Sequence, residues 1–361
     1  MPELIHRRVA VITNSPAPYR DQLFNRLGPL VGTLDVYYTQ PATSDRAWST
    51  DPVDAEHRLR PIGSFGSLGS WNYGVVKAVR SHDVVIVGGY DQLSYVVALV
   101  VAKALRKRTV MIFDGLAPSR IHRREFRTLL KSVIVRRADV CLTNGAIGRR
   151  YFAERLKVPA SRIRNQYLVP VETRPPTPST RRFDVVFVGR LIERKRVDLL
   201  IEASKALGGV TVGIVGDGPL YWDLRRQARG TGVEFLGDGT AMEVAQAMSG
   251  ARCVVVPSVD EPWGLVVHEA MAHQTPVVVG LDMGCVEDLV VDGSNGVILR
   301  DYNAESLVAA IRSALALDRA EVSSTNSRVL ELWNLEHHVE AFRSAIEGSN
   351  EPHEEGGDVG P

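Results

Sequence analysis

The sequence predicts a parallel α/β protein made of two doubly wound, Rossmann-like domains. Short apolar segments alternate with longer amphipathic segments through most of the chain, a pattern typical of parallel strands joined by helices. The length of 361 residues is enough for two domains of ordinary size. Residues 170–180 contain four prolines and divide the alternating pattern in two, because proline is unsuited to a helix interior or a central strand.

The first half is predicted to hold six strands and four helices. Each predicted strand is rich in Val, Ile, Leu or Thr, as expected for a sheet buried on both faces. The strands are Val9–Thr13, Thr33–Tyr38, Val84–Val87, Thr109–Phe113, Val140–Thr143 and Asn165–Val169. The helices lie near Asp21–Leu27, Leu93–Leu105, Arg124–Arg136 and Ile147–Leu156.

The second half repeats the alternation of strand and helix. Its predicted strands are Phe183–Val188, Thr211–Val215, Val233–Leu236, Cys253–Val256 and Val277–Val279. Its predicted helices are Val197–Ala206, Leu220–Arg229, Ala241–Met248, Leu265–His273, Ala304–Ala316 and His337–Ile346. We therefore place an N-terminal domain at residues 1–168, a linker at 169–181, a C-terminal domain at 182–336, a closing helix at 337–347 and a polar, disordered tail at 348–361.

The composition is that of a globular protein, with 45% hydrophobic and 24% charged residues. The first eight residues lack the apolar core of a secretory signal, and no apolar run reaches the ~20 residues of a bilayer-spanning helix. The three cysteines have no metal-ligand spacing, which argues against a disulfide framework and a zinc site. We expect a cytoplasmic protein, with the inner membrane face as an alternative location.

Charge is unevenly distributed along the chain. Residues 1–168 contain 26 Lys and Arg against 13 Asp and Glu, whereas the remainder contains 17 against 29. Three interpretations are open: an anionic acceptor, peripheral contact of the N-terminal domain with an anionic membrane, or attraction between the two halves. The basic stretch 120–137 fits either an ordinary helix packed on its sheet or a helix that docks on lipid. We expect no nucleic acid among the partners.

Two glutamates eight positions apart mark the candidate site. Glu261 lies in the loop after an apolar strand, and Glu269 lies in the helix that follows. The open N–H groups of that helix start attract anions, and carboxylates on either side accept hydroxyls. The segment therefore suits a nucleotide diphospho-sugar, although a lone glutamate pair is more often a solvated helix face.

The surrounding segment, residues 257–272, resembles the E-x₇-E signature of glycosyltransferase family 4. Members of that family are retaining, nucleotide-sugar-dependent enzymes with the GT-B fold, in which two domains face each other across a cleft. The resemblance extends from Phe187 to about Ile298. It also implies that the closing helix crosses back to the N-terminal domain.

The resemblance assigns roles to the donor site. Arg190 and Lys195 match a G-R-L-x₃-K motif whose cations neutralise the donor diphosphate, a role that suits the charge developing on a leaving diphosphate. Glu261 orients the transferred sugar and Glu269 holds the ribose. The backbone of Gly264, Leu265 and Val266 completes the sugar site.

Weaker matches extend the donor site. Gly216, Gly218 and Pro219 match a G-x-G-P turn that lines the donor cleft, although an ordinary tight turn is an equal alternative. Glu287 matches a glutamate near the donor, with helix capping as its alternative role. Three positions depart from the family, because Arg196, Gln274 and Met283 stand where its members carry glycine.

The acceptor site is less well marked. Tyr19 and Arg20 follow the first strand and are candidate acceptor contacts, weighed against a plain helix start with Pro18. Asp114 ends another strand at a position where many relatives carry a histidine that touches the donor sugar. The histidine's role is not transferred to Asp114.

We predict a metal-independent, front-face glycosyltransferase. The sequence has no D-x-D metal motif, so we expect no metal and no cofactor, with a UDP- or GDP-sugar as the donor substrate. The acceptor is a glycan, a lipid-linked glycan or a small molecule. The alternatives are a GT-B nucleotide-sugar epimerase or hydrolase and a non-catalytic nucleotide-sugar-binding protein.

Overall fold

The computed structural model describes residues 4–39, 58–61, 72, 74–121, 128–171, 173 and 183–348. They form two compact units. Unit 1 takes its described residues from Met1–Gly115, Arg123–Val171 and Trp333–Gly357, and unit 2 takes them from Leu116–His122 and Glu172–Leu332. Most of the predicted linker, the tail after residue 348 and residues 122–127 of the basic stretch lie outside the described residues.

Unit 1 contains a seven-stranded parallel sheet in the order β3-β2-β1-β4-β5-β6-β7. The strand order reverses between β1 and β4, which is the point where doubly wound sheets bind ligands. The strands are β1 Ile5–Thr13, β2 Val31–Tyr38, β3 Arg58–Pro61, β4 Val84–Val87, β5 Arg108–Phe113, β6 Val140–Thr143 and β7 Ile163–Asn165.

Five helices connect these strands. They are α1 Pro18–Leu27, α2 Val75–Ser81, α3 Leu93–Ala104, α4 Thr128–Val135 and α5 Gly145–Arg150, the last continuing into a π-helical turn at Tyr151–Arg155. The predicted strand Asn165–Val169 shares only Asn165 with β7, because Tyr167 has a φ of 51°, which no extended strand allows.

Unit 2 contains a six-stranded parallel sheet in the order β10-β9-β8-β11-β12-β13. Its strands are β8 Val185–Val188, β9 Val212–Val215, β10 Val233–Gly237, β11 Cys253–Val256, β12 Val277–Gly280 and β13 Gly296–Leu299. Its helices are α6 Val197–Ser204, α7 Tyr221–Gln227, α8 Ala241–Gly250, α9 Leu265–Ala272, α10 Val286–Leu289, α11 Ala304–Ala316 and α12 Arg319–Leu332. Strand β13 and helix α12 were not predicted, since the sequence of α12 is mostly polar and lacks a clear apolar stripe.

The last helix, α13 (Leu335–Glu347), belongs to unit 1. Phe342 and Ile346 are buried in the same apolar cluster as Val9 and Val11 of β1. Arg108 Nε donates to the carbonyl oxygen of Ala345 over 2.6 Å. The chain therefore leaves unit 1, builds unit 2 and returns to finish the first core.

Candidate functional site

In unit 2 the loops after β8 and β9 fit together through glycines. Gly216 and Gly218 have φ values of 136° and 159°. A Cβ atom on Gly216 would lie 2.0 Å from the carbonyl oxygen of Gly189, and one on Gly218 would lie 2.6 Å from that of Leu191. The G-x-G-P turn thus packs directly on the loop that carries Arg190, so a side chain at either glycine would force the two loops apart.

The turn after that loop has a left-handed backbone conformation that favours glycine, but no glycine occupies it. Lys195 ends a short 3₁₀ turn, and Arg196 follows with φ 50° and ψ 40° in the left-handed region. The Nε atom of Arg196 lies 3.3 Å from each carboxylate oxygen of Asp198. The departure from the family pattern at residue 196 therefore leaves the turn intact, at the cost of a strained backbone.

Lys195 and Glu261 are in direct contact. The Nζ atom of Lys195 lies 2.6 Å from Oε2 of Glu261, and the two side chains are only 12% and 9% exposed. Arg194 Nη1 lies 3.7 Å from the other carboxylate oxygen. The residue predicted to bind the diphosphate and the residue predicted to bind the sugar thus form one nearly buried ion pair.

Backbone hydrogen bonds fix the loop that carries Glu261. The amide of Glu261 donates to the carbonyl oxygen of Asp282 over 3.1 Å, and its own carbonyl oxygen accepts from Gly284 over 2.9 Å. A Cβ atom on Gly284 would lie 1.9 Å from the carbonyl oxygen of Pro262. This glycine is therefore required by close packing, and Glu261 is held on rigid backbone.

Helix α9 begins beside this loop with an uncapped end. Gly264 precedes it with a φ of 106°, and no side chain caps the first turn. The first N–H groups of a helix have no partner inside the helix, so those of Leu265 and Val266 are suited to an anion. The predicted backbone contacts are thus all at the start of α9.

Glu269 lies farther along α9 and is partly buried. Desolvation raises the pKa of its carboxyl group to about 7, and the nearby charge of Lys195 opposes that rise. Within the described residues the carboxylate makes no hydrogen bond or ion pair. It is therefore a desolvated acceptor that has no partner among the described residues.

Arg190 and Glu287 are the two exposed members of the predicted donor set. The guanidinium group of Arg190 forms no hydrogen bond or ion pair in the part of the chain that the structure describes. Glu287 is the second residue of the short helix α10 and has an acidic neighbour in the same turn. Both lie in unit 2, Arg190 in the loop after β8 and Glu287 in helix α10 after β12.

Asp282 is a residue that the sequence analysis missed. Its carboxylate accepts from the amide of Asp260, from the amide of Ser119 and from the hydroxyl group of Ser119, each over 2.8 Å. Asp260 itself has a φ of 52° and is paired with Arg120. Asp282 therefore stabilises the strained residue directly before Glu261. Its position after β12, at a strand's carboxyl end, was the signal that could have found it.

The three predicted acceptor residues meet in unit 1. Arg20 Nη2 lies 2.5 Å from Asp114 Oδ2, and the hydroxyl group of Tyr19 donates to the same oxygen over 3.2 Å. Gln166 Nε2 lies 3.4 Å from the other carboxylate oxygen. These side chains thus pair with one another, and the buried Nε atom of Arg20 is left without a hydrogen-bond partner among the described residues.

The charges in this group stabilise each other. Burial lowers the pKa of Arg20, but Asp114 outweighs that effect and the net pKa is raised. Burial likewise raises the pKa of Asp114, and Arg20 reverses that effect, so the net pKa is lowered. The pair is therefore ionised at any physiological pH and acts as a fixed polar link between α1 and the end of β5.

Within the described residues no group of three or more His, Cys, Asp and Glu side chains could hold a metal ion. The described helices also include none with the length and apolar character that crossing a bilayer requires.

Comparison with known proteins matches the second half of the chain to a sequence family. Residues 172–328 match the sequence model of the family described as glycosyl transferases group 1. An uncharacterized glycosyltransferase of Methanocaldococcus jannaschii is 34% identical over 125 residues, which are 34% of this chain and 35% of that protein. D-inositol 3-phosphate glycosyltransferase of Mycobacteroides abscessus is 37% identical over 143 residues, which are 36% of this chain and 31% of that protein. The matches thus span about a third of the length of these curated relatives.

Solved structures match over almost the whole chain. HepE of Anabaena, crystallised with UDP, aligns with a TM-score of 0.76 at 19% identity and covers 95% of this chain and 100% of its own. WaaG, a glycosyltransferase involved in lipopolysaccharide biosynthesis, aligns with a TM-score of 0.64 at 16% identity and covers 94% of this chain and 100% of its own. The chain therefore has the GT-B fold, and its residues 172–328 match the glycosyl transferases group 1 family.

Proposed function

We propose that this protein is a glycosyltransferase that moves a sugar from a nucleotide diphospho-sugar to an acceptor hydroxyl, with retention of anomeric configuration and without a metal ion. The observation that carries the proposal is the grouping of Lys195, Glu261 and Glu269 around the uncapped start of α9. The family match of residues 172–328 supports the reaction class. The UDP and UDP-glucose bound to HepE make a UDP-sugar the first donor to test, ahead of a GDP-sugar.

The first task of such an enzyme is to stabilise the leaving diphosphate. Breaking the bond between the anomeric carbon and the diphosphate oxygen places negative charge on that oxygen. Arg190, Lys195 and the N-terminus of α9 supply fixed positive charge and N–H donors, which lower the energy of the transition state when they are oriented in advance. Because protein groups supply this charge, we propose no metal-dependent step.

The contact between Lys195 and Glu261 suggests how the site is kept ready. In this structure the two groups neutralise each other. When a donor binds, Lys195 turns to the diphosphate and the released Glu261 oxygen accepts a sugar hydroxyl. One charge-assisted hydrogen bond replaces another, so the exchange costs little free energy.

Glu269 is proposed to accept hydrogen bonds from the ribose hydroxyls. Its carboxylate is desolvated and has no partner in the described residues. An ionised carboxylate in such surroundings gains more from a hydroxyl donor than it would in water. Glu269 therefore contributes to donor affinity, whereas Lys195 contributes to the rate of bond breaking.

The acceptor hydroxyl attacks from the face that the diphosphate leaves. Its proton passes to an oxygen of the departing diphosphate while the new glycosidic bond forms, so no protein nucleophile is required. The acceptor, a glycan, a lipid-linked glycan or a small molecule, is proposed to bind unit 1. The ionic link between Arg20 and Asp114 would then shape this acceptor site.

The test is a donor panel of UDP-, GDP- and ADP-sugars, assayed with and without sugar acceptors in the presence of EDTA. Nucleotide release that depends on acceptor, together with a product of unchanged anomeric configuration by NMR, is the expected result. Release without any acceptor would indicate a hydrolase, and sugar isomerisation without release would indicate an epimerase. Donor binding without turnover of any donor in the panel would indicate a non-catalytic nucleotide-sugar-binding protein and would overturn the proposal.

A further inference from the structure

A short segment of unit 2, residues 116–121, supports the loop that carries Glu261. By its contacts the segment belongs to unit 2, although residues of unit 1 flank it in sequence. It forms a 3₁₀ turn at Pro118–Arg120, and Ala117 and Ile121 on either side of that turn are buried. The turn is therefore anchored in the protein at both of its ends.

Two residues of this segment bind acidic residues that neighbour Glu261 in the structure. The amide and the hydroxyl group of Ser119 donate to the two carboxylate oxygens of Asp282, each over 2.8 Å. The guanidinium group of Arg120 donates through Nε and Nη2 to the two carboxylate oxygens of Asp260. Each contact consists of two hydrogen bonds, and a bidentate arrangement of this kind fixes orientation as well as distance.

Asp260 is the residue that these contacts hold in place. Its φ of 52° lies in the left-handed region, which costs free energy for residues other than glycine. Its amide donates to Asp282 over 2.8 Å, so Ser119 and Asp260 bind the same carboxylate while Arg120 holds the side chain. Strained backbone that several contacts maintain is concentrated at functional sites, and the residue that follows Asp260 is Glu261.

The same loop has backbone contacts on two further sides. The amide of Val259 donates to the carbonyl oxygen of Arg194 over 2.8 Å. Gly284 donates to the carbonyl oxygen of Glu261, and a Cβ atom on this glycine would lie 2.9 Å from the carbonyl oxygen of Leu116. The direction of the Glu261 side chain therefore depends on the segment as well as on the loop itself.

We propose that Ser119 and Arg120 are positioning residues, which hold the loop so that Glu261 faces a hydroxyl group of the transferred sugar. The inference rests on the proposed function, in which an oxygen of Glu261 accepts a sugar hydroxyl once the donor has bound. Because the loop is fixed through Asp260 on one side of Glu261 and through Gly284 on the other, this carboxylate keeps its direction when its partner changes.

This positioning role concerns the sugar and not the nucleotide. The proposed contacts to the diphosphate and the ribose come from Arg190, Lys195, Glu269 and the start of α9, which lie outside the loop that the segment holds. Loss of the segment's contacts should therefore weaken binding of the sugar and leave binding of the nucleotide unchanged. A contact that only stabilised the fold would change both affinities together or neither of them.

The experiment measures, by isothermal titration calorimetry, the affinity of the full chain for UDP and for UDP-glucose, with GDP and GDP-glucose as a second pair. Arg120→Gln should raise the Kd for the nucleotide sugar about tenfold, as expected for loss of a hydrogen bond to a charged group, and leave the Kd for the free nucleotide unchanged. Turnover of the active donor should fall by up to about 10²-fold, because the sugar is misplaced. The unfolding temperature should stay close to that of the wild type, since the side chains of Arg120 and Asp260 are 49% and 35% exposed.

Two further variants control this result. Asp260→Asn removes the same ion pair from its other side, and asparagine tolerates the left-handed backbone. It should reproduce the effect of Arg120→Gln, and the double variant should be no worse than either single variant, because both changes remove one interaction. Arg300→Gln is the matched control, since Arg300 forms an exposed ion pair with Asp292 in the same unit, and it should bind both ligands as the wild type does.

Equal changes in the affinities of Arg120→Gln for the nucleotide and the nucleotide sugar, or no change in either, would overturn the inference. Additive effects of Arg120→Gln and Asp260→Asn would also overturn it. A wild-type protein that binds a nucleotide sugar but transfers its sugar to no acceptor would refute the proposed function alone, because the affinities of the Arg120 variant would still decide the positioning role. A chain that binds none of the four ligands would overturn both.

Discussion

Charged groups near the strand ends of the two units include a buried pair in unit 1 and two groups without a protein partner in unit 2. In unit 1, Arg20 is buried and paired with Asp114, and the pair is completed by Tyr19. In unit 2, Arg190 is exposed with no ion pair in the described residues, and the Glu269 carboxylate likewise lacks a partner. The contrast is thus between the Arg20–Asp114 pair of unit 1 and the Arg190 and Glu269 side chains of unit 2, whereas Lys195 and Glu261 of unit 2 are themselves paired.

This difference distinguishes charged groups that stabilise the fold from charged groups that are available to bind a ligand. A buried ion pair whose partners are both present stabilises local geometry, and removal of one partner leaves an uncompensated charge. A desolvated group without a partner instead lowers the stability of the empty protein and gains its partner when a ligand binds. Variants of Arg190 and Glu269 should therefore affect chemistry more than folding, and variants of the Arg20 pair should do the reverse. A variant of Lys195, which is paired with Glu261, should affect both.

The largest expected effect belongs to Lys195→Ala. Removing a fixed cation from the leaving group should lower kcat by about 10²- to 10³-fold. The thermal unfolding temperature should fall as well, because the nearly buried Glu261 carboxylate loses its partner. Steady-state kinetics with the donor identified in the panel measure this directly. Lys205→Ala, at an exposed lysine in the same unit, is the matched control and should keep normal rates. A kcat for Lys195→Ala near the wild-type value would remove the diphosphate role.

The next effect tests the contrast between the two arginines. Arg20→Ala should lower the free energy of unfolding of unit 1 by about 2–4 kcal/mol, because Asp114 keeps its charge without a partner. Arg190→Ala should change stability by less than about 0.5 kcal/mol, as surface substitutions usually do, while turnover falls. Measuring urea unfolding and turnover for both variants distinguishes the two effects. If Arg190→Ala is the more destabilising change, the comparison between the units fails.

Some helices and strands could be predicted from the sequence and others could not, and the reason lies in the physical origin of each sequence pattern. Apolar strands such as Val84–Val87 and Cys253–Val256 have the predicted bounds, because their burial on both faces leaves a continuous apolar run. Helix α12 was missed because its stability comes from packing that its polar sequence does not reveal. Fold class was therefore predictable, and the weakly patterned helix was not.

Site geometry was only partly predictable. Motif spacing placed Lys195 and Glu261 at strand ends but gave no reason to expect their 2.6 Å contact, which depends on two loops 66 residues apart in sequence. The role of Asp282 depends on three hydrogen bonds across distant segments. Contacts between loops arise from tertiary structure, so a linear pattern does not specify them.

The pH dependence of donor binding should report on Glu269. Its pKa of about 7 means that it is protonated in the empty protein below neutral pH and becomes ionised as pH rises. The ionised form accepts the ribose hydroxyls, so the KM for donor should fall between about pH 6 and pH 8. Because ionisation is unfavourable in the folded state, the stability that this carboxyl contributes is present at low pH and is lost as pH rises through 7.

The variant Glu269→Gln removes this ionisation and should behave in two ways. The KM for donor should rise by about tenfold at pH 8, as expected for loss of a hydrogen bond to a charged group, and should no longer vary between pH 6 and pH 8. Its stability relative to wild type should increase at pH 8 and not at pH 4. A KM profile for Glu269→Gln that matches the wild-type profile would assign the pH dependence to another group.

The smallest expected effect concerns an unsatisfied group of unit 2 that lies outside the proposed ligand contacts. Gln274 follows α9 with a φ of 57°, and its buried Oε1 atom has no partner in the described residues. Gln274→Gly should raise the free energy of unfolding by about 1 kcal/mol by relieving the left-handed backbone, or about 3 °C in unfolding temperature, with the KM for donor unchanged. Gln274→Ala removes the amide but keeps the strain, so a gain as large as that of glycine would assign the cost to the side chain. A change in the KM for donor in the glycine variant would show that Gln274 also affects donor binding. The unsatisfied groups of unit 2 could then not be separated into those that bind a ligand and those that only reduce stability, and the whole α9 segment, instead of single residues, would have to be compared with unit 1.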